Sequence, residues 1–245
     1  MCEAGASLHR PMTPSPLVSC LCVTRARVAL LRRAVACFQA QTHAPRELVL
    51  LYESDDADTA AYAATLSDPS IRCVEVPASP KRPLGALRNL AIEASQGAYI
   101  AQWDDDDWYS PARLAAQMDA MREHRRPACV LYRWTMYDAV TRRAYVSGER
   151  PWEGSLIAQR EVVPPYPELA RKEDTPVIQA MLLQELLVCL DAPELYVYTY
   201  HGANTWDERH WREVLLPHAQ PLPPEVTLHI EDVLGVARNL PKSPT

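Results

Sequence analysis

The sequence predicts an α/β fold in which a Rossmann-like, mostly parallel central sheet carries helices on both faces. In the first half of the chain, short apolar runs alternate with segments whose apolar residues recur at helical spacing, in the order β-α-β-α-β-α-β. Polar residues follow these apolar runs, as they do at the carboxyl edge of a parallel sheet, where ligands bind. The second half lacks this regular alternation, so we expect a mixed arrangement there.

Composition and charge narrow the class of protein. The chain has 245 residues, 48% of them hydrophobic, which suffices for one domain with a sizeable core. Its formal net charge of -6 argues against nucleic-acid binding, because a surface that follows phosphates needs a basic excess. No apolar run approaches the roughly 20 residues of a membrane span. We therefore expect a cytoplasmic protein without a transmembrane segment, and peripheral association with the inner face of the membrane is compatible with this.

Composition also divides the chain into three regions. Residues 1–16 mix Pro, Ser and Gly without periodicity and are expected to be a flexible leader. A single domain is expected over residues 17–216. It is divided into two halves at residue 111, shortly after the acidic run of residues 104–107. Residues 217–245 are rich in proline and are interpreted as a tail that holds one helix near Ile230 to Asn239.

Each predicted element has a local signal. Runs of apolar and β-branched residues predict strands at Leu17–Val23, Glu47–Tyr52, Ile71–Val76, Tyr99–Trp103, Ala128–Tyr137 and Ala144–Val146. Apolar residues at helical spacing predict helices around Leu31, Leu87 and Leu114 and over Ala57–Leu66 and Val177–Leu187. Gly97 is expected to end the helix around Leu87 in the left-handed conformation.

The cysteines do not indicate a metal site or a disulfide framework. Their number is odd, and their spacing contains neither a CxxC pair nor a zinc pattern. Most of them lie within apolar runs, so we interpret them as reduced core residues. They are Cys2, Cys20, Cys22, Cys37, Cys73, Cys129 and Cys189.

The densest concentration of charge follows the fourth predicted strand. Tyr99–Trp103 runs directly into the four aspartates 104–107, and Pro111 suits the first turn of a following helix. Four adjacent carboxylates repel one another unless a cation or several hydrogen-bond donors neutralise them. Mg²⁺ or Mn²⁺ would do so, because these ions bind one or two protein carboxylates together with water and phosphate oxygens. A solvated acidic turn that caps the helix is the alternative.

Several segments, taken together in order and spacing, resemble the inverting family-2 glycosyltransferases, which have the GT-A fold. The resemblance extends over roughly Leu17 to Trp211. It rests on Val18-Ser19-Cys20-Leu21-Cys22-Val23-Thr24-Arg25, Gln39-Ala40-Gln41-Thr42, Gly85-Ala86-Leu87-Arg88-Asn89, Gly97-Ala98-Tyr99-Ile100-Ala101 before the four aspartates, and Glu173-Asp174. It implies transfer of a sugar from a nucleoside diphosphate donor to the hydroxyl of a saccharide or glycoconjugate acceptor. Residues 17–111 would then be the nucleotide-binding half and residues 112–216 the acceptor-binding half.

The resemblance also implies where the donor binds. The DXD motif of the family falls on Asp104-Asp105-Asp106, with Asp106 and Asp104 as ligands of Mn²⁺ or Mg²⁺ and Asp104 also near the ribose. His201 lies in a stretch that related enzymes often fold over the donor, and the resemblance implies a further metal ligand or a contact with the diphosphate there. A structural or solvent-facing histidine is the alternative. The expected donor-binding residues are Thr24, Arg25, Tyr52 and Glu53 for the nucleoside and Lys81, Arg82 and Arg88 for the diphosphate. A UDP-sugar is favoured because uridine is the commonest base in the family.

The acidic pair of the second half corresponds to the family's catalytic base. Asp174 would take the proton of the acceptor hydroxyl, and Glu173 would orient it. A helix cap is the alternative for Asp174, because it precedes Thr175 and Pro176. Trp152 is expected to shape the acceptor pocket, since aromatic faces pack well on sugar rings. A tryptophan of the core is the alternative.

Two other functions are alternatives to a glycosyltransferase. A nucleotidyltransferase on a related sheet usually carries a glycine-rich phosphate loop, but Leu21 to Leu31 contains no glycine. A catalytically silent subunit that binds sugar nucleotides would not need both acidic motifs. The sequence therefore favours a metal-dependent inverting glycosyltransferase.

Overall fold

The computed structural model of the protein describes residues 15–204 and 206–236, which form a seven-stranded and a five-stranded sheet with flanking helices. The strands are β1 (Val18–Val23), β2 (Arg46–Glu53), β3 (Ile71–Val76), β4 (Tyr99–Gln102), β5 (Trp108–Tyr109), β6 (Ala128–Arg133), β7 (Thr135–Asp138), β8 (Arg143–Val146), β9 (Trp152–Gln159), β10 (Leu187–Asp191), β11 (Tyr196–Tyr200) and β12 (Gln220–Pro221). The helices are α1 (Val28–Gln39), α2 (Ala57–Ala63), α3 (Leu84–Ala94), α4 (Arg113–His124), α5 (Asp174–Leu183), α6 (Glu208–His210) and α7 (Pro224–Leu234).

The larger sheet confirms the predicted fold class. Its strand order is β10-β6-β9-β4-β1-β2-β3, and only β9 runs antiparallel to its neighbours among the described strands. The carboxyl ends of β1, β2 and β4 consequently meet at one edge. The smaller sheet has the order β12-β8-β7-β11-β5 and is largely antiparallel, as expected for a mixed second half.

Helices cover both faces of the larger sheet because its strands are apolar on both sides. Along β1, Cys20 and Cys22 are buried in one cluster with residues of α1 and α4. Leu21 points to the opposite face, where it packs with Leu87 and Ala91 of α3. Alternate residues of a strand face opposite sides of a sheet, so an uninterrupted apolar run indicates a strand buried on both.

The second half differs most from the prediction. The predicted strand Ala128–Tyr137 is interrupted at Trp134, where the chain passes from the larger sheet (β6) to the smaller one (β7). The backbone N–H of Trp134 donates to the Ser147 side chain, and its carbonyl accepts from the Ser147 N–H. Trp134 is buried, so the apolar pattern continues through the change of sheet and cannot reveal it. Strands β9, β10 and β11 were not predicted.

The predicted helix Val177–Leu187 begins earlier, at Asp174, and ends at Leu183. The C-terminal helix also lies earlier than predicted, at Pro224–Leu234, while residues 237–245 lie outside the described residues. Its Ile230 packs in a cluster with Tyr137, and the Arg142 guanidinium donates to both Glu231 carboxylate oxygens at 2.7 and 2.6 Å. The segment after residue 216 therefore packs against the smaller sheet, whereas the predicted leader lies almost entirely outside the described residues.

Four of the six cysteines that the structure describes are buried. Cys20, Cys22, Cys37 and Cys129 are buried, as predicted, and no disulfide joins cysteines within residues 15–204 and 206–236. Cys73 and Cys189 are exposed, contrary to the prediction, because they lie on the edge strands β3 and β10. Cys2 is outside the described residues. No helix in the described part of the chain is both long and apolar enough to cross a membrane.

Gly97 does not end α3 in the left-handed conformation, and this expectation was wrong. Positive φ among the described glycines occurs at Gly202 and Gly235. A Cβ atom on Gly97 would lie 2.5 Å from the Ser19 Oγ and 2.7 and 2.8 Å from the Tyr99 and Leu17 carbonyl oxygens. The Gly97 N–H also donates to the Ser19 Oγ at 2.8 Å. Glycine is thus required here by the close approach of β1.

We predict that Gly97→Ala lowers the free energy of unfolding by about 1–3 kcal/mol, because two of the atoms a methyl group would meet are backbone atoms that cannot rotate away. Replacing glycine by alanine at an unstrained site normally stabilises a protein by about 0.4–1 kcal/mol, so the sign of the change is decisive. Urea denaturation measures it. The exposed neighbour Ala98 provides a control, since Ala98→Gly alters only chain entropy, by at most about 1 kcal/mol.

Candidate active site

A cleft of about 340 Å³ lies at the carboxyl edge of β1, β2 and β4 and extends to the start of α5. Loops from both halves of the chain line it. The predicted site residues among its lining are Thr24, Arg25, Tyr52, Glu53, Lys81, Arg82, Arg88, Asp104, Asp105, Asp106, Glu173 and Asp174. His201 does not line the cleft but contacts Asp106 from behind, where its Nε2 lies 3.4 Å from the Asp106 Oδ2.

The loop between β1 and α1 holds two of the aspartates. The Thr24 hydroxyl donates to the Asp105 Oδ2 at 2.5 Å, and the Arg27 Nη1 donates to the Asp106 Oδ2 at 2.8 Å and the Asp105 Oδ1 at 3.3 Å. Ala26 has a φ of 53°, and its N–H donates to the Asp56 carboxylate at 2.6 Å. This left-handed turn brings Arg27 over the acidic run. Sequence reasoning missed Arg27, because spacing alone does not distinguish it from the more obvious Arg25.

The two ends of the acidic run are held by tyrosines. The Asp104 N–H donates to the Tyr109 Oη at 2.6 Å, and the Tyr109 hydroxyl donates to the Asp104 carbonyl at 3.0 Å. Asp107 is buried and accepts hydrogen bonds from the Tyr196 hydroxyl and, at 3.1 Å, from the Thr199 N–H. Tyr109, Tyr196 and Thr199 belong to β5 and β11 of the smaller sheet. Both sheets therefore build the acidic run.

Burial and neighbouring negative charge raise the pKa values of two aspartates of this run. Burial, and then the charge of Asp106, raise the pKa of Asp105 to about 7. The same two causes raise the pKa of Asp107 well above its ordinary value. A positive charge bound beside the run would favour the ionised forms of Asp105 and Asp107. The run is therefore a site that attracts a cation.

The side chains at this site can bind a divalent metal only together with water or phosphate oxygens. Within residues 15–204 and 206–236, no three His, Cys, Asp or Glu side chains are grouped so that they could hold a metal by themselves. Asp104 and Asp106 offer carboxylate oxygens, the ligands that Mg²⁺ and Mn²⁺ prefer, and these ions usually keep positions for water and phosphate oxygens. The His201 Nε2 lies 3.4 Å from the Asp106 Oδ2, and its Nδ1 lies 3.4 Å from the Ala203 nitrogen. Binding of a metal through Nε2 would require the tautomer whose proton is on Nδ1.

Arg88 connects the two acidic motifs. It is buried, its Nε donates to the Glu173 Oε1 at 2.8 Å, and its Nη2 donates to the Asp104 Oδ1 at 3.0 Å. Both bonds go to carboxylates of the protein, so the arginine that was expected to face the diphosphate also fixes α5 against the end of β4. Charge-assisted bonds of this kind are among the stronger ones in proteins.

Asp174 differs from Glu173 in having a free carboxylate. Among the described residues, none donates a hydrogen bond to it, and the N-terminus of α5 has no side-chain cap. Burial raises the pKa of Asp174 to about 6, with Arg88 opposing the rise and Glu173, Glu153 and Asp104 adding to it. A half-buried carboxylate with such a pKa can accept a proton near neutral pH.

The opposite end of the cleft centres on Glu53. Its Oε2 accepts from the Arg25 Nη1 at 2.8 Å and from the Lys81 ammonium, whereas its Oε1 is buried without a partner among the described residues. Arg25 also donates two bonds of 2.7 Å to the exposed Asp55. Arg82 bonds the Pro77 carbonyl at 2.6 Å. This end of the cleft can therefore offer one acceptor flanked by cations.

Aromatic side chains line the cleft on the side of the second half. They are Trp152, Tyr198 and Trp206, and the Lys172 ammonium lies 5.5 Å from the centre of the Trp206 ring. Trp152 stacks on the buried Trp134, with ring centres 4.3 Å apart. Such faces can pack against a sugar ring.

Comparison with known proteins identifies the fold. The family model described as Glycosyl transferase family 2 matches residues 19–175, and no curated protein sequence matches the chain. Similar solved structures include S. aureus TarS 1-349 in complex with UDP-GlcNAc, with a TM-score of 0.60 and 14% identity over 76% of this chain and 59% of that one. The mannosyltransferase PcManGT from Pyrobaculum calidifontis, in complex with GDP-Man and Mn²⁺, has a TM-score of 0.59 and 15% identity over 80% of this chain and 60% of that one. The chain thus spans about three fifths of these structures, whose similarity confirms the predicted GT-A fold.

We predict that Arg88→Lys lowers the free energy of unfolding by about 1–3 kcal/mol, because a lysine cannot donate to Asp104 and Glu173 in the same forked geometry. Urea denaturation provides the measurement. The control is Arg122→Lys, since Arg122 forms an exposed ion pair of 2.7 Å with Asp119 and should change stability by less than about 0.5 kcal/mol. Equal effects of the two substitutions would contradict a structural role for the Arg88 bridge.

Proposed function

The chain belongs to glycosyl transferase family 2, and on this premise we propose that it is a metal-dependent inverting glycosyltransferase of glycan or glycoconjugate synthesis. The donor is a nucleoside diphosphate sugar, and the acceptor is a hydroxyl group of a saccharide or glycoconjugate. One observation carries the proposal. The acidic run and the unpaired Asp174 carboxylate face the same cleft. Arg88 connects them, because it bonds both Asp104 and Glu173, the neighbour of Asp174.

The leaving group of the reaction is the nucleoside diphosphate, on whose oxygens negative charge develops. Asp106 and Asp104 would hold Mn²⁺ or Mg²⁺ there, joined by the His201 Nε2, which lies 3.4 Å from the Asp106 Oδ2. The bound ion would neutralise the developing charge as a Lewis acid. Lys81 and Arg82 also line the cleft, where they would add fixed positive charge for the diphosphate.

Asp174 is the proposed base. As the acceptor oxygen bonds to the anomeric carbon, the hydroxyl proton moves to the Asp174 carboxylate and the bond from that carbon to the diphosphate breaks. The absence of hydrogen bonds to Asp174 from described residues leaves its oxygens free to receive the proton. Glu173, bound to Arg88, fixes the first turn of α5 and so orients the base.

We place the nucleoside at Glu53, in the half formed by residues 17–111, and the acceptor beside Trp152, in the half formed by residues 112–216. The unpartnered Glu53 Oε1 suits a base that presents one N–H between two carbonyl groups, which supports the expected uracil. Arg25 and Lys81 on the Glu53 Oε2 could then face those carbonyls. Thr24 and Tyr52 complete this end of the cleft.

We predict that UDP raises the melting temperature of the wild-type protein more with Mn²⁺ than with EDTA, and that Asp106→Ala removes this difference. The variant should remain folded, because removing one carboxylate relieves repulsion and Arg27 can still pair with Asp105. Thermal shift and calorimetric titration measure the effect. Asp119→Ala, on the exposed side of α4, is the control. Equal UDP binding by the wild type in Mn²⁺ and EDTA would reject the metal.

We predict that Asp174→Asn lowers turnover about 10²–10⁴-fold while the affinity for the donor changes little, because asparagine keeps the shape but cannot take the proton. Donor hydrolysis or transfer to a panel of acceptors is measured beside a donor titration on the same preparation. Asparagine caps helices as well as aspartate does, so a mere cap would leave activity within a few-fold of wild type. Asp119→Asn is the matched control.

We predict that kcat/KM for the acceptor falls tenfold per pH unit below about pH 6, since Asp174 is active as the carboxylate and its pKa is about 6. The ionised form is present above that pKa and is lost as the pH falls through it. Glu153→Gln removes one of the negative charges that raise the pKa of Asp174, so it should move the inflection to lower pH. A profile without an inflection between pH 5 and 7 would contradict the assignment.

A further inference from the structure

A guanidinium without a carboxylate partner lies in the core beside the acidic run. Arg113, in the first turn of α4, is 0% exposed. Its Nε donates to the Gln117 Oε1 and its Nη2 to the Gln102 carbonyl, both at 3.1 Å, and no other residue in the described ranges bonds its Nη1. No Asp or Glu side chain of the described part pairs with it. A buried charge is costly, and an apolar side chain of the same volume is often neutral or stabilising in its place.

Three aromatic rings surround this guanidinium instead. Its central carbon lies 4.6 Å from the ring centre of Tyr109, 5.2 Å from that of Trp103 and 5.6 Å from that of Tyr196. Arginine suits such a place, because its planar cation is weakly hydrated and attracted to aromatic faces. A cation over a phenol ring also withdraws electron density and makes its hydroxyl a stronger hydrogen-bond donor.

Two of these rings belong to the tyrosines that hold the acidic run. Tyr109 bonds the Asp104 backbone N–H and carbonyl, and Tyr196 donates to the Asp107 carboxylate. Arg113 thus contacts neither end of the run but packs against the holder of each. Its bond to the Gln102 carbonyl also fixes the end of β4, two residues before Asp104.

We propose that Arg113 is a positioning residue: acting through Tyr109 and Tyr196, it fixes both ends of the acidic run, so that Asp104 and Asp106 face the cleft. Arg27, in contrast, bonds the Asp105 and Asp106 carboxylates directly. The positioning itself is a property of the unliganded protein. Its consequence for metal and donor binding rests on the proposed function.

The first experiment measures amide hydrogen exchange of the unliganded protein. We expect Arg113→Met to speed exchange in residues 104–109 at least tenfold, with β1 and β2 unchanged. Arg46→Met is the matched control, because Arg46 also stacks on a ring, 5.4 Å from the Phe38 centre, and bonds backbone carbonyls, but it lies at the far end of β2. Unchanged exchange in residues 104–109, or an equal rise in β1 and β2, would overturn the proposal.

A second pair of variants tests the route through tyrosine and does not depend on the folding of Arg113→Met. Tyr109→Phe removes one hydroxyl, keeps the ring and should speed exchange in the same residues. Exchange in the double variant should be faster than in either single variant. The free-energy effect of the double variant should nevertheless be smaller than the sum of the two single effects, because coupled residues are not additive. If Arg113→Met does not fold, Tyr109→Phe decides alone: unchanged exchange in residues 104–109 would overturn the proposal.

A separate experiment measures how Arg113 affects nucleotide binding with and without metal. Arg113→Met should weaken binding of UDP, or of GDP if the wild type binds that instead, about tenfold with Mn²⁺ and leave it unchanged with EDTA. Equal loss in both conditions, or no loss, would show that Arg113 does not act on the metal-binding aspartates. If the wild type binds neither nucleotide better with Mn²⁺, the proposed metal dependence fails, while the exchange experiment still decides whether Arg113 positions the run.

Discussion

The mutual repulsion of four adjacent carboxylates at the end of β4 is the constraint on which the site depends. A short turn forces aspartates 104–107 together, and two of them are buried deeply enough that their pKa values rise. Each carboxylate accepts a hydrogen bond from another side chain, and Arg27 serves two of them. Arg88 bonds Asp104, Thr24 and Arg27 bond Asp105, Arg27 bonds Asp106, and Tyr196 bonds Asp107. The partners come from distant parts of the chain, so the arrangement of the run depends on contacts between segments far apart in the sequence.

This requirement explains why the molecule has two sheets. The larger sheet brings the ends of β1, β2 and β4 to one edge, where Thr24 and Glu53 join the aspartates in the cleft. The smaller sheet contributes β5 and β11, whose tyrosines hold Asp104 and Asp107. The cleft lies where the two sheets meet. Substitutions in the smaller sheet can therefore alter the acidic run without touching a ligand.

The buried arginines connect this charge balance to the proposed chemistry. Arg88 ties Asp104 to Glu173 and so sets the distance between the acidic run and the start of α5. Arg113 packs behind the same run without a carboxylate of its own. Burial removes the hydration of both guanidinium groups and replaces it with fixed contacts. This burial is unfavourable for stability, but it is useful where several carboxylates must stay in place. Buried arginines from two helices, α3 and α4, thus help to keep the neighbouring carboxylates in place.

The sequence by itself determined the fold class, the parallel first half and the polar clusters that follow β1, β2 and β4, because apolar periodicity reflects burial and because polar clusters follow parallel strands at a common edge. Arg88, Glu173 and Asp174 were found in the sequence only through its resemblance to family-2 glycosyltransferases. The tertiary structure alone decided the change of sheet at Trp134, the close approach at Gly97 and the roles of Arg27 and Arg113. None of these has a local signal. A buried residue looks the same in either sheet, and the partner of a charge is set by packing between segments far apart in the chain. Local pattern therefore predicts where a side chain is buried, whereas only packing decides which atoms it meets.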